Sequence, residues 1–270
     1  MIPNVLSIAG IDPSGGAGLL ADLKTFSALG AYGTGVVAAL TAQNTRGVTG
    51  VHPVPVEFIT QQIDTLFADV RIDAVKLGML GSSEIVTTVA AGLRRHQVIR
   101  LVVDPVMVSK SGHHLLSPDA VSALRNEILP LAEIITPNLP EAEVLLNCPP
   151  IRTLADMRTA ARALHALGPR IVVLKGGHLD GADSIDVIDT GTAQVELPAA
   201  RIITKNTHGT GCTLSAAIAA LLPQHADPLN AIRAAKSYLT SAIAASDQLS
   251  VGSGHGPVHH FHALWPQPRS

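Results

Sequence analysis

Short runs of consecutive apolar residues alternate along this chain with stretches in which apolar residues recur every three or four positions. The runs at 5–9, 35–41, 74–78, 101–104, 133–136 and 171–174 predict buried strands, since such unbroken patches suit a sheet covered on both faces. Helical spacing predicts helices at 19–29, 58–69, 118–129, 153–167, 211–222 and 228–246. Within 58–69, for example, Phe58, Ile59, Ile63, Leu66 and Phe67 fall on one face. Gly30 stops the first helix, and Ser82-Ser83-Glu84 opens another. Residues 185–188 and 195–197 read as a hairpin or a pair of edge strands. The alternation predicts an α/β fold with a mostly parallel sheet, in a single domain over residues 1–270, without internal repeat or linker. Ligands bind beyond the carboxyl ends of such strands, and there the polar and glycine-rich segments collect.

Composition narrows the class. Hydrophobic residues make up 47% and charged residues 15%, which excludes a disordered chain. Aromatic residues are 3%, so Ala, Val, Leu and Ile must build the core. A net charge of −2 supplies no long-range field for nucleic acid or an anionic membrane, so a bound phosphate must be held by a local site. No stretch approaches the roughly 20 apolar residues of a spanning helix. The start of the chain runs straight into a strand and lacks signal-peptide character. Cys148 and Cys212 are the two cysteines, too few for a disulfide framework. The expectation is a reduced, cytoplasmic protein with a small-molecule ligand.

Candidate chemistry concentrates in Asn206-Thr207-His208-Gly209-Thr210-Gly211-Cys212, ahead of a helix of small residues. Gly209 and Gly211 permit a tight turn, and the helix start offers unpaired N–H groups to an anion, although plain capping also fits. Cys212 stands where a helix N-terminus favours a thiolate, and a base near an attacking hydroxyl is what phosphoryl transfer to an alcohol needs; a buried structural Cys is the alternative. Lys175, in Lys175-Gly176-Gly177-His178, ends a strand and can place an ammonium on a nucleotide phosphate. Asn138 and Glu141 lie one turn apart across a helix start, suited either to hydrated Mg²⁺ or to a capping box. Asp104 is a second carboxylate at a strand exit. Gln43 can pair a donor and an acceptor with a ring nitrogen and a neighbouring amino group. His255, His259, His260 and His262 resemble a metal tract in composition alone, with no cysteines or carboxylates at ligand spacing.

The order of these segments is more specific than any one of them. Gly10-Ile11-Asp12-Pro13-Ser14-Gly15-Gly16-Ala17-Gly18, Ala42-Gln43-Asn44-Thr45, Lys76-Leu77-Gly78-Met79-Leu80 and Asp104-Pro105-Val106-Met107 come first. Thr136-Pro137-Asn138-Leu139-Pro140-Glu141, the Lys175 and Asn206 segments, and Gly256-Pro257-Val258-His259-His260 complete the series. Together they resemble the hydroxymethylpyrimidine and phosphomethylpyrimidine kinases of thiamine biosynthesis, over residues 6–265. The resemblance implies a ribokinase-like three-layer sandwich, usually homodimeric, and two ATP- and Mg²⁺-dependent steps on 4-amino-5-hydroxymethyl-2-methylpyrimidine. Cys212 stands where the wider superfamily carries an aspartate base, as in the pyrimidine kinases and a subset of pyridoxal kinases. A pyridoxal kinase, or one enzyme for both substrates, is therefore the nearest alternative.

The resemblance also assigns roles. Gln43 binds the aminopyrimidine edge, and Gly10, Met79 and Val106 line the ring pocket. Lys175, Asn138, Thr207 and Lys236 serve the nucleotide, with Glu141 and Asp104 around Mg²⁺. Gly209, Thr210, Gly211 and Cys212 form the anion hole and base. Asp12 receives no role.

Overall fold

The structure is a computed structural model and describes residues 1–107 and 116–265. The chain opens with β1 (Asn4–Ile11), α1 (Gly18–Ala28), β2 (Tyr32–Asn44), β3 (Gly47–Pro53) and α2 (Val56–Phe67). It continues through β4 (Ala74–Leu77), α3 (Ser83–Arg95), β5 (Leu101–Val103), α4 (Pro118–Ala123), β6 (Ile134–Ile135), α5 (Leu139–Leu146) and α6 (Leu154–His165). β7 (Ile171–Leu174), β8 (Asp186–Asp189), β9 (Gln194–Leu197), α7 (Thr210–Leu221) and α8 (Pro228–Ala244) complete it.

Among the described residues the strands form one sheet in the order β3-β2-β1-β4-β5-β6-β7-β8-β9. From β2 through β7 the neighbours pair in parallel; β3, β8 and β9 join antiparallel at the two edges. Side-chain alternation divides the core. Leu6, Ile8, Val75, Leu77, Val103 and Ile135 face one apolar layer, shared with residues of α2 to α6. Val5, Ala74, Val102, Ile134 and Val173 face the other, against α7 and α8. Helices therefore cover both faces, as the unbroken apolar strands require. The chain steps from β1 to β2 on one side and later to β4 on the other, which opens a crevice beyond the end of β1.

Two expectations need correction. The strand expected at 35–41 runs on to Asn44 and pairs with β3, which the sequence pattern did not signal. No position of β3 is buried, since Gly47–Pro53 is an outer edge strand in solvent, so it carries no apolar run. The helix expected over 118–129 stops at Ala123 as an α-helix and widens into a π-turn at Leu124–Ile128. Pro130, which lacks an N–H to continue the ladder, lies in the 3-10 turn Leu129–Leu131 that ends the helix.

Candidate active site

The parallel strands deliver their exits to one cleft of about 770 Å³. Gly10 at the end of β1 donates its N–H to the Met79 carbonyl at 3.1 Å. A Cβ on Gly10 would lie 2.5 Å from Met79 Cε, so the glycine makes the space that the Met79 side chain fills. Gln43 enters from the end of β2, and Val106 follows β5. Asn138 and Glu141 come from the start of α5, Lys175 from the end of β7, and Lys236 from α8. Thr207, Gly209, Thr210, Gly211 and Cys212 lie at the start of α7. All the candidate residues, Asp104 included, line this one cleft.

The α7 start is built for close approach. Gly209 is its N-cap with φ 77°, a left-handed conformation, and a Cβ there would run into the Gly16 carbonyl. A Cβ on Gly211 would lie 3.1 Å from Lys175 Nζ and 3.4 Å from an Asp104 carboxylate oxygen, so this turn passes directly over an ion pair. First-turn N–H groups have no partner inside a helix and point their dipole at whatever anion sits before them. Ala216, Ala217, Ala219 and Ala220 are fully buried, and small side chains let α7 press against the sheet and place that turn at the strand exits.

Charges below the turn form two sets. Lys175 Nζ lies 3.0 Å from Asp104 Oδ1 and 3.9 Å from Glu141 Oε2. Burial opposes the lysine charge, but Asp104 and Glu141 outweigh it and hold the pKa above its ordinary value. Burial pushes the Glu141 carboxyl well above the usual carboxylate range, against the pull of Lys175. Asn138 and Glu141 also make the capping box in full: Asn138 Oδ1 accepts from Glu141 N–H at 2.9 Å, and Glu141 Oε2 accepts from Asn138 N–H at 2.8 Å. The capping reading of that spacing is thus realised, and Glu141 faces the cleft as well.

The second set was not foreseen. Lys76 in β4 is fully buried and bonds Asp22 Oδ2 at 2.7 Å, and Ser7 Oγ donates to the same oxygen at 2.6 Å. Burial opposes the Lys76 charge, yet Asp22, Cys212 and Asp104 outweigh it and raise the pKa. A lysine inside the apolar run 74–78 was the available signal, since such a charge requires a buried partner.

Cys212 departs from the thiolate expected at a helix start. Desolvation by the surrounding protein pushes its thiol up to about 11, against the lowering pull of Lys76 and of the Gly18 N–H. Asp104 and Asp22 push the same way as burial, so the helix end does not prevail. At the far end of the cleft Lys236 Nζ is held by Asp186 Oδ2 at 2.7 Å, and Asp186 Oδ1 accepts from Gly176 N–H at 3.0 Å. Of the C-terminal histidines, His260 is buried, lies 3.2 Å from Thr213 Oγ1, and is pushed by burial down to about 3. Among the described residues no cluster of three or more His, Cys, Asp or Glu is arranged to hold a metal, and no helix is long and apolar enough to cross a membrane.

Known proteins carry the same pattern. The sequence profile of a family described as phosphomethylpyrimidine kinase matches residues 12–259. A hydroxymethylpyrimidine/phosphomethylpyrimidine kinase of Escherichia coli (strain K12) is 55% identical over 262 residues, covering 97% of this chain and 98% of its own. An ADP complex of Bacillus subtilis pyridoxal kinase superposes with a TM-score of 0.89 at 38% identity, over 96% of this chain and 98% of that one. A phosphomethylpyrimidine kinase from Clostridium difficile 630 superposes with a TM-score of 0.79 at 42% identity, over 89% and 99% of the two chains.

Proposed function

The chain belongs to the phosphomethylpyrimidine kinase family, and on that premise we propose that it phosphorylates 4-amino-5-hydroxymethyl-2-methylpyrimidine with ATP, first to the monophosphate and then to the diphosphate, for thiamine assembly. The observation that carries this reading is the shared cleft, in which Gln43, Gly10, Met79 and Val106 supply amide and apolar contacts for a ring, and Lys175 and the α7 turn supply an ammonium and N–H groups for an anion. Met79 offers an aromatic ring its polarizable sulfur.

In the first step the hydroxymethyl oxygen attacks the γ-phosphorus, the bond to the bridging oxygen of ADP breaks, and the hydroxyl proton passes to Cys212 Sγ in the minor population in which it is a thiolate. The first-turn N–H groups of α7 and the Lys175 ammonium hold the charge spread over the moving phosphoryl oxygens. Lys236 and Thr207 serve the remaining nucleotide phosphates. In the second step the nucleophile is a phosphate oxygen already free of its proton, so no base is required.

Mg²⁺ would enter with the nucleotide rather than wait in a protein cage, because each carboxylate lining the cleft already faces a basic side chain: Asp104 and Glu141 face Lys175, Asp186 faces Lys236 and Asp12 faces His208. Glu141 would hold it through water, with Asp104 acting through Lys175. When bound, the ion neutralises phosphate oxygens. Pairing of two copies is supported by Leu40 and Val51, exposed along the edge hairpin, and sedimentation at twice the chain mass is the expected reading. The two free cysteines support a reducing cytoplasm.

Pyridoxal turnover is the second reading, favoured by the high TM-score to pyridoxal kinase. Side-by-side turnover of hydroxymethylpyrimidine, its monophosphate and pyridoxal separates the two. The pyrimidine and its monophosphate are expected to be the better substrates. Preference for pyridoxal, or no second phosphorylation, would sink the main reading.

A further inference from the structure

Asp12 and His208 have no part in the chemistry above, yet both are buried and both line the cleft. The Asp12 carboxylate accepts from Ser14 N–H at 2.9 Å, Ser14 Oγ at 2.9 Å, Ala17 N–H at 3.0 Å and His208 Nε2 at 2.7 Å. Burial pushes its pKa up, but the bonds from His208 and Ser14 outweigh burial and keep it below the usual value. An ionised carboxylate can only accept. The proton in the 2.7 Å bond therefore sits on His208 Nε2.

The same Nε2 lies 3.5 Å from the side-chain amide of Gln43. With the amide nitrogen on that side, two donors face each other. On the other side Gln43 Oε1 lies 3.2 Å from Thr41 Oγ1. The single Thr41 hydroxyl proton goes to the Ile11 carbonyl at 2.8 Å, so two acceptors meet there. Turning the amide through half a turn exchanges its nitrogen and oxygen and removes both conflicts. The amide nitrogen then donates to Thr41, and the amide oxygen takes a long second share, at 3.5 Å, of the Nε2 proton that Asp12 accepts at 2.7 Å.

We propose that Asp12 and His208 are positioning residues for substrate choice: Asp12 fixes the proton on His208 Nε2, and His208 fixes which end of the Gln43 amide accepts and which donates. The inference rests on the pyrimidine pocket proposed above. Gln43 then presents an acceptor on its His208 side and one remaining N–H on its Thr41 side. That order matches an amino group beside an unprotonated ring nitrogen. A 4-oxo analogue in its N3–H form reverses it, placing donor against donor and acceptor against acceptor. With the hydroxymethyl group held toward Cys212, the ring cannot turn over to escape the mismatch.

The test is the ratio of kcat/KM for the 4-amino substrate to that for the 4-oxo analogue, in wild type and variants. Asp12→Asn and His208→Leu are expected to shrink this ratio by about tenfold or more, through KM rather than kcat. His208→Gln, which keeps an N–H at similar reach, is expected to hold it within about threefold. A ratio unchanged in both Asp12→Asn and His208→Leu overturns the relay. Nitrogen NMR of His208 in the wild-type protein decides the matter even if a variant fails to fold. A proton on Nε2 is expected, and a proton on Nδ1 alone overturns the proposal. Gln43→Leu checks the reading beneath: if it leaves the ratio intact, the substrate does not lie against Gln43, and the pocket assignment fails rather than the relay.

Discussion

Two lysines flank the same cysteine and live under opposite conditions. Lys76 is sealed: its side chain and that of Asp22 are both 0% exposed, and the pair closes on Ser7. Lys175 is open: 15% of its side chain is exposed to the cleft, and two carboxylates share it. A sealed ammonium cannot meet a phosphate, so its effect on ligands is confined to the field it adds beneath Cys212. An open one can turn from Asp104 toward an arriving anion, while Glu141, already easy to protonate, gives up its share of the charge. The comparison teaches that burial, not residue type, separates a lysine sealed beneath the cleft from one open to it.

The largest expected effect lies on the sealed side. Lys76→Met leaves Asp22 buried with Ser7 as its remaining partner, and breaking a buried pair in this way costs about 3–5 kcal/mol. Urea unfolding reads this directly; a loss below about 1 kcal/mol would show that the pair is not structural. Lys175→Met should reverse the balance. Its kcat/KM for ATP should fall by about 10²–10³-fold, as for loss of one well-placed electrostatic group. Its stability should change by no more than about 1–2 kcal/mol, because the Asp104 and Glu141 carboxylates it leaves behind open onto the cleft and can take up a proton when the ammonium is gone. Equal stability losses in the two variants would erase the distinction.

Much of this arrangement was legible in the chain, for physical reasons that can be named. Apolar runs such as 101–104 and 171–174 gave the strands because a strand buried on both faces has no polar positions to confuse its period. Gly209 stood out because a turn that crosses the Gly16 backbone tolerates no side chain, and Gly211 because the next turn passes close over Lys175 and Asp104. What stayed hidden depends on distance along the chain or on field. Asp22 and Lys76 are 54 residues apart, and neither alone names its partner. Asp12 and His208 are 196 apart, joined by the meeting of β1 and α7. The Cys212 pKa was misjudged because the helix end is a local signal, whereas desolvation comes from everything packed around the thiol.

The central claim is that the α7 turn and Lys175 serve both phosphorylations while Cys212 serves chiefly the first. With its pKa near 11, the thiolate is scarce at neutral pH and grows about tenfold per pH unit below that value. The first phosphorylation should therefore rise with pH up to the limit of protein stability, and the second should stay nearly flat. The most direct measurement is single-turnover kinetics of both steps in Cys212→Ala. We predict a fall of about 10²-fold or more in the first and less than about threefold in the second. Equal losses in both steps, or a first step at the wild-type rate, would contradict the account.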